Sequence, residues 1–334
     1  MEETLLPKNE ITELKESQEN QISETANQKP ISIGKGIWDI VWKFLLAYGL
    51  FIIIPLIYVI IYAFLSKEKI LESTDWRKDV LFDIVYRWVW CTIITTTLGI
   101  IIFTKMNFVK ISFGRIKKQK ILPLMAVTPT LAISYMCFEI SCDMLLLLSG
   151  WLPEELIDVE SDLDLIITPS TWVLGLLLVG ILGPIFEEIM CRGILIGGLR
   201  KIKCPVWTSI ILSGIIFGAL HGMIIKFVGC TIFGIITGWL YCRTRSLIPG
   251  IVMHIINNSI VVGFGLLVYK YSSLLDTLET TEPTPEETKE TIIFLAITTA
   301  ISLAAIIGCL WWLNKKLPKD KEEISNENLS VQTI

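Results

Sequence analysis

Two adjacent glutamates and an arginine interrupt an apolar run in GPIFEEIMCRG, residues 183–193. A charge inside a bilayer costs roughly 2.5–3.5 kcal/mol on insertion scales, so such residues are the first candidates for function. Glu188 and Arg192 are spaced i and i+4 and therefore share a helix face on which they can form an ion pair. Glu187 lies about 100° around the helix, away from that pair. The spacing predicts a structural pair beside one carboxylate available for chemistry, unless both acids merely mark an interfacial helix end.

The chain has two histidines, and both lie inside apolar segments, in FGALHG and IVMHIINNS. Phe217 and His221 share a helix face at i and i+4, and so do His254 and Asn258. A neutral imidazole can act as a base or bind a metal. An asparagine one turn away can orient the imidazole or donate a hydrogen bond to a developing oxyanion. Each histidine alone can be a structural core residue, but the confinement of both to apolar segments favours a site.

The depths of these residues in a bilayer are compatible with one shared site. At about 1.5 Å per residue, Glu187 lies about 20 Å from the nearest basic helix end. The corresponding values are about 27 Å for His221 and about 14 Å for His254. The spacing therefore allows a site at mid-membrane or on its cytoplasmic side.

A further acidic pair, Glu139 and Asp143, is also spaced i and i+4. Asp143 is expected near the outer interface, where Arg87 is also expected. We therefore predict a structural contact between Arg87 and a carboxylate, with catalysis by the acids as the alternative.

The elements that must position these residues are membrane helices. The chain has 334 residues, of which 52% are hydrophobic, and its mean hydropathy is +0.62. Apolar runs of about 18 residues or more are long enough to cross a bilayer as helices. The fold class predicted is all-α, a polytopic transmembrane helical bundle of about eight spans, at residues 44–65, 84–104, 121–149, 171–196, 205–224, 227–242, 249–269 and 291–313.

The domain organisation predicted is one membrane domain between two polar tails. Residues 1–36 and 315–334 are predicted to be flexible and cytoplasmic, and residues 37–314 to form the multi-span domain. The loop at 105–120 is rich in lysine and arginine and lacks acids, whereas residues 151–165 carry acids and no basic residue. The positive-inside rule then places both termini in the cytoplasm.

Three sequence boxes together resemble a known family. EEIMCR (187–192), FGALH (217–221) and HIINN (254–258) resemble the EExxxR, FxxxH and HxxxN boxes of the CPBP family of intramembrane proteases. That family includes the CAAX prenyl-protein endopeptidases and the Abi and bacteriocin-immunity proteins. The resemblance covers about residues 170–270, with each box on a separate apolar segment. It implies an all-helical bundle whose active site opens to the cytoplasm and hydrolyses a peptide bond.

The resemblance also implies roles for individual residues. Glu187 would activate water with His221 as its partner. His254 and Asn258 would bind the scissile carbonyl and stabilise the tetrahedral oxyanion. The supporting residues implied are Glu188 and Arg192, which would hold the first box in place, and Phe217, which would pack beside His221.

The resemblance leaves metal dependence open. Members of the family are often described as metalloproteases, and Glu187, His221 and His254 are a potential His₂Glu zinc set. The chain contains no HExxH motif. A metal-free mechanism needs only a glutamate base whose basicity is increased by burial.

The function predicted is that of an intramembrane endopeptidase acting on a membrane-associated or prenylated, CAAX-type protein or peptide. The partners expected are membrane lipid and such a substrate, and no nucleic acid, because the sequence has no basic nucleic-acid surface. The composition leans towards isoleucine, lysine and asparagine, which suits a multi-pass protein of a bacterial plasma membrane. The alternatives are a non-catalytic immunity or binding protein and a proton-coupled transporter that uses the same polar residues.

Overall fold

A computed structural model describes residues 32–67, 82–112, 118–151, 171–222, 224–278 and 284–317. Within these ranges all regular structure is helical, and no strand is found. Eight helices correspond to the eight predicted segments, and we number them in chain order. They are α1 (Ile33–Leu65), α2 (Phe82–Lys105), α3 (Lys118–Leu148), α4 (Trp172–Lys201), α5 (Val206–Leu220), α6 (Ile224–Thr244), α7 (Ile248–Leu278) and α8 (Pro285–Lys316).

Seven of these helices are long and apolar enough to cross a membrane. The eighth, α5, is apolar but has only 15 residues. The predicted all-α transmembrane bundle is therefore confirmed, and the protein is a multi-pass integral membrane protein. The acidic loop and most of both predicted tails lie outside the described residues, so the orientation of the termini stays a prediction.

Prolines shape the helices in two different ways. Pro55 in α1 and Pro184 in α4 each follow a π-helical segment, Gly49–Ile53 and Leu176–Leu182. Proline lacks an N–H, so carbonyls one turn earlier lose their usual helical partner and the helix widens there. In contrast, α3 continues through both Pro123 and Pro129.

Glycines bring α5 and α6 together. A Cβ atom on Gly234 would lie 2.8 Å from the Cα atom of Gly214. A Cβ atom on Gly238 would lie 3.1 Å from the side chain of Ile196 in α4. Because small residues allow backbones to approach closely, the glycines of α6 place this helix in the centre of the bundle, against α4 and α5. Helix α7 packs on α4 and α3, and α8 packs on α3.

The predicted contact between Arg87 and the acids of α3 is wrong. Lys226 of α6 lies 2.5 Å from the Asp143 carboxylate and 3.7 Å from that of Glu139. Arg87 instead pairs with Asp83, one turn earlier on its own helix, at 3.1 Å. The local i, i+4 acid satisfies the arginine, which leaves the α3 acids to a lysine on another helix.

Candidate active site

The two central glutamates lie on a short α-helical turn of α4. This turn, Gly183–Glu188, is flanked by π-helical segments at Leu176–Leu182 and Ile189–Ile196. The Glu188 side chain is 1% exposed and that of Glu187 is 22% exposed. Two neighbouring carboxylates therefore have different surroundings, and of the two only Glu187 can meet a ligand.

Glu188 and Arg192 form the predicted ion pair, which is confirmed at 3.0 Å between Oε1 and Nη1. Nη2 of the arginine donates to the Gly234 carbonyl at 3.1 Å and to the Thr237 hydroxyl, both on α6. The guanidinium also lies 4.8 Å from the centre of the Phe217 ring. Both charges are fully buried, so each requires the other to offset its lost hydration. This pair joins α4 to α5 and α6.

His254 lies between the two glutamates. Its Nδ1 is 3.3 Å from Glu188 Oε1 and its Nε2 is 3.5 Å from Glu187 Oε2. The ring is buried, at 3% exposure, and its centroid lies 4.9 Å from that of Phe233. Glu187, for which the sequence of α4 predicts no partner, therefore has a partner on α7.

His221 ends α5 and has a defined hydrogen-bond direction. Its Nδ1 lies 2.8 Å from the Phe217 carbonyl oxygen. A carbonyl only accepts, so Nδ1 carries the hydrogen and Nε2 is the acceptor of the neutral ring. Gly222 follows with φ +70°, a left-handed conformation that glycine adopts freely and that turns the chain after the helix.

Phe217 connects the two histidines. Its ring centroid lies 4.8 Å from that of His221 and 5.6 Å from that of His254. The structure therefore brings Glu187, Glu188, Arg192, Phe217 and His254 into direct contact, and His221 joins this group through Phe217. The packing position predicted for Phe217 is confirmed.

Asn258 is held against α4 by a carbonyl that Pro184 leaves without a helical partner. In the π-helical pattern the Gly183 N–H bonds to the Leu178 carbonyl, so the Val179 carbonyl would need the absent N–H of Pro184. Asn258 Nδ2 donates to Val179 O at 3.1 Å instead. This contact fixes the asparagine one turn beyond His254. The Asn258 amide has a second N–H, which the contact with Val179 does not use.

One oxygen of the Glu187 carboxylate lies in the interior without a hydrogen bond from the described part of the chain. Its Oε2 atom is buried and accepts no hydrogen bond from any residue in the described ranges. Arg192 offsets the charge of Glu188 nearby. The arrangement therefore provides one base, Glu187, with imidazoles on two other helices, which is the chemistry needed to activate water and stabilise an oxyanion.

The predicted zinc set does not fit this arrangement. Among the residues described, no three His, Cys, Asp or Glu side chains are placed to hold a metal ion. Of the three proposed ligands, Nε2 of His254 lies 3.5 Å from Glu187 Oε2, and the Nδ1 contact of His221 with the Phe217 carbonyl leaves its Nε2 unbonded in the part of the chain described. The metal set stays a prediction.

Two residues that support the site were missed from the sequence. Thr237 accepts a hydrogen bond from Arg192 and donates to the Phe233 carbonyl at 3.0 Å. It is a polar residue in an apolar segment, a signal that could have been used. Gly250 borders Glu188, and a Cβ atom there would lie 2.7 Å from Glu188 Oε2. Nothing in its local sequence indicates this contact.

Replacing Gly250 by alanine is expected to destabilise the protein by about 1–3 kcal/mol, the usual cost of overpacking a tight core. The new methyl group would push the Glu188 carboxylate away from Arg192 and His254. Thermal unfolding in detergent would measure the effect. Gly263→Ala on the same helix is the matched control, because its Cβ atom meets nothing within 4 Å. Equal stability of both variants would contradict the tight contact at Glu188.

Comparison with known proteins supports a protease family. Residues 169–260 match the family model described as Rce1-like, type II CAAX prenyl endopeptidase, and this range includes all three boxes. A segment of 82 residues is 34% identical to the protein named "Putative membrane peptidase YdiL" of Bacillus subtilis (strain 168). That similarity covers 25% of this chain and 33% of the relative, so the chain spans about a third of the curated relative it matches. No solved structure matches the chain significantly.

Proposed function

We propose that this protein is an intramembrane endopeptidase in which Glu187 and His221 activate water. The three boxes resemble those of CPBP-type membrane proteases, and residues 169–260 match the Rce1-like family model. One observation carries the proposal. The Glu187 carboxylate, 22% exposed, lies 3.5 Å from His254 of α7, while the adjacent Glu188 is neutralised by Arg192. A buried pair thus holds in place a single reactive acid.

The reaction proposed begins with a water molecule at Glu187. The carboxylate accepts a proton as the water oxygen attacks the scissile carbonyl, which forms the tetrahedral intermediate. Nδ1 of His221 is fixed as a donor by the Phe217 carbonyl. This leaves Nε2 unprotonated, and Nε2 is the atom proposed to assist Glu187 in accepting the proton. Return of the proton to the leaving nitrogen breaks the C–N bond and releases an amine and a carboxylic acid.

Stabilisation of the oxyanion is assigned to His254 and Asn258. Glu188 only accepts hydrogen bonds, so the contact at 3.3 Å places a proton on His254 Nδ1. For the oxyanion role the ring must also carry a proton on Nε2, the nitrogen that lies 3.5 Å from Glu187 Oε2. The Asn258 amide has a second N–H beyond the one given to Val179. Fixed donors aimed at a developing oxyanion are typically worth several kcal/mol to the transition state.

The substrate class proposed is a membrane-associated protein or peptide, including a prenylated one with a C-terminal CAAX sequence. Support for the prenylated substrate comes from the description of the matched family, whereas the described site contacts concern the peptide bond. A bilayer-embedded acid can be reached by a segment that is itself held at the membrane. The features that select the substrate are therefore distinct from the residues proposed to cleave the peptide bond, and the two can be tested independently.

A cleavage assay would test this proposal, with the protein reconstituted in liposomes and with prenylated and unprenylated CAAX peptides as substrates. We expect wild type to release the C-terminal fragment, detected by mass spectrometry, and His221→Ala to release none. Cleavage should persist after treatment with a metal chelator, because the proposed reaction uses protein groups alone. Full activity of His221→Ala would contradict its role, and loss of cleavage that added zinc restores would contradict the metal-free reaction.

A further inference from the structure

A cavity lies between α1 and α2, outside the protease-like segment at about residues 170–270. Its volume is about 360 Å³, within the usual range of small-molecule sites. It has an aromatic wall, an apolar wall and an ion pair. The lining residues are Tyr58, Asp83, Tyr86, Arg87, Trp90, Cys91 and Ile94.

The charged groups of this cavity are held in place but remain accessible. Arg87 Nε lies 3.1 and 3.2 Å from the two oxygens of Asp83. The Arg87 guanidinium stacks 4.5 Å from the Tyr62 ring centre, and the Tyr62 hydroxyl donates to Asp83. The side chains of Arg87 and Asp83 are 44% and 40% exposed. A guanidinium has five N–H donors; in Arg87, Nε pairs with Asp83, and the side chains of Tyr58 and Tyr62 also form hydrogen bonds with the guanidinium.

The cavity has the polarity profile of a membrane lipid. Asp83 is the first residue of the candidate membrane span Asp83–Lys105, and Tyr62, one turn before the end of α1 at Leu65, contacts it through a hydrogen bond. The ion pair therefore belongs to the membrane interface. Ile94, on the apolar wall, lies about 16 Å further along the α2 axis and is 55% exposed. A ligand that follows this surface has a polar end at the interface and an apolar end in the hydrocarbon.

The balance of charge favours a zwitterionic headgroup. Arg87 suits a phosphate, which arginine binds through charge-assisted hydrogen bonds. Asp83 suits an ammonium group, and the faces of Tyr58, Tyr86 and Trp90 attract a cation through their ring quadrupoles. An anionic headgroup without an amine would satisfy Arg87 but would face the Asp83 carboxylate. We propose that this cavity binds a phospholipid whose headgroup joins a phosphodiester to an amine, such as phosphatidylethanolamine.

Native mass spectrometry of the purified full-length protein would test this site. The probes are phosphatidylethanolamine, phosphatidylglycerol, diacylglycerol and inorganic phosphate, each added to the delipidated protein. We expect phosphatidylethanolamine to be retained preferentially, and Arg87→Gln to reduce its retention about tenfold, as expected for loss of one charged hydrogen-bonding group. Ile94→Trp would fill part of the cavity at its apolar wall without removing either charge. This variant should also reduce retention of the lipid.

Lys43→Gln is the matched control. Lys43 also forms an i, i+4 ion pair, 2.6 Å from Asp39, and lies 4.9 Å from the Phe108 ring centre, but it does not line the cavity. We expect this variant to retain the lipid as wild type does. Unchanged retention in both Arg87→Gln and Ile94→Trp would overturn the proposal. Equal retention of diacylglycerol, a preference for phosphatidylglycerol, or displacement of the lipid by inorganic phosphate would overturn the assignment of the zwitterionic lipid.

Discussion

Glutamine in place of Glu187 is expected to abolish peptide cleavage while the protein remains folded and inserted in the membrane. The amide has the size of the carboxylate but cannot accept a proton from water. General base catalysis typically contributes about 10²–10⁴ to a rate, so the variant should lose at least about 100-fold. Cleavage of a reporter peptide in liposomes would measure this loss. The substitution removes no cation's main partner, because Arg192 pairs with Glu188.

A matched control separates loss of the base from a general loss of negative charge. Glu290 is an exposed glutamate near the start of α8, and Glu290→Gln should cleave as wild type does. Thermal unfolding of both variants would show whether the fold is kept. If Glu187→Gln cleaved at the wild-type rate, the base would have to be another residue.

The second large effect is expected from Arg192→Met, which leaves the buried Glu188 carboxylate without its cation. Removal of one partner from a buried ion pair costs about 3–5 kcal/mol, because the other charge remains desolvated. The hydrogen bonds to Gly234 and Thr237 are lost as well. We therefore expect a strongly lowered free energy of unfolding, measured by denaturant titration in detergent.

Two further variants test the cause of this destabilisation. Lys201→Met removes an exposed cation from the last turn of the same helix and should change stability by no more than about 0.5 kcal/mol. The double variant Glu188→Gln/Arg192→Met removes both buried charges and should recover part of the loss. A double variant that is less stable than Arg192→Met alone would contradict the explanation by an unpaired charge.

The elements and one contact of the site were predictable from the sequence because they depend on local spacing. The apolar segments were predictable as helices because a helix needs about 18 or more mostly apolar residues to cross the bilayer. The Glu188–Arg192 pair follows from i, i+4 geometry within α4. The same local rule, applied to Arg87, would have indicated Asp83 rather than the acids of α3.

Contacts between helices were harder to predict from the sequence. The sequence shows that Glu187 lacks a partner on its own helix, but the choice of His254 depends on how α7 packs on α4. The π-helical segments of α4 redirect its side chains, and no periodicity in the sequence indicates them. Pro184 is a partial exception, since a proline within a span marks carbonyls that other groups must satisfy, here that of Val179 by Asn258.

The most direct test of the central claim is a comparison of membrane proteomes from cells that express wild type or Glu187→Gln at equal levels. Mapping of new peptide termini would identify bonds cut by the protein. We predict at least one membrane-associated protein or peptide that is truncated with wild type and intact with Glu187→Gln. Identical termini in the two samples, with both proteins folded and inserted, would contradict the proposal that Glu187 activates water for proteolysis.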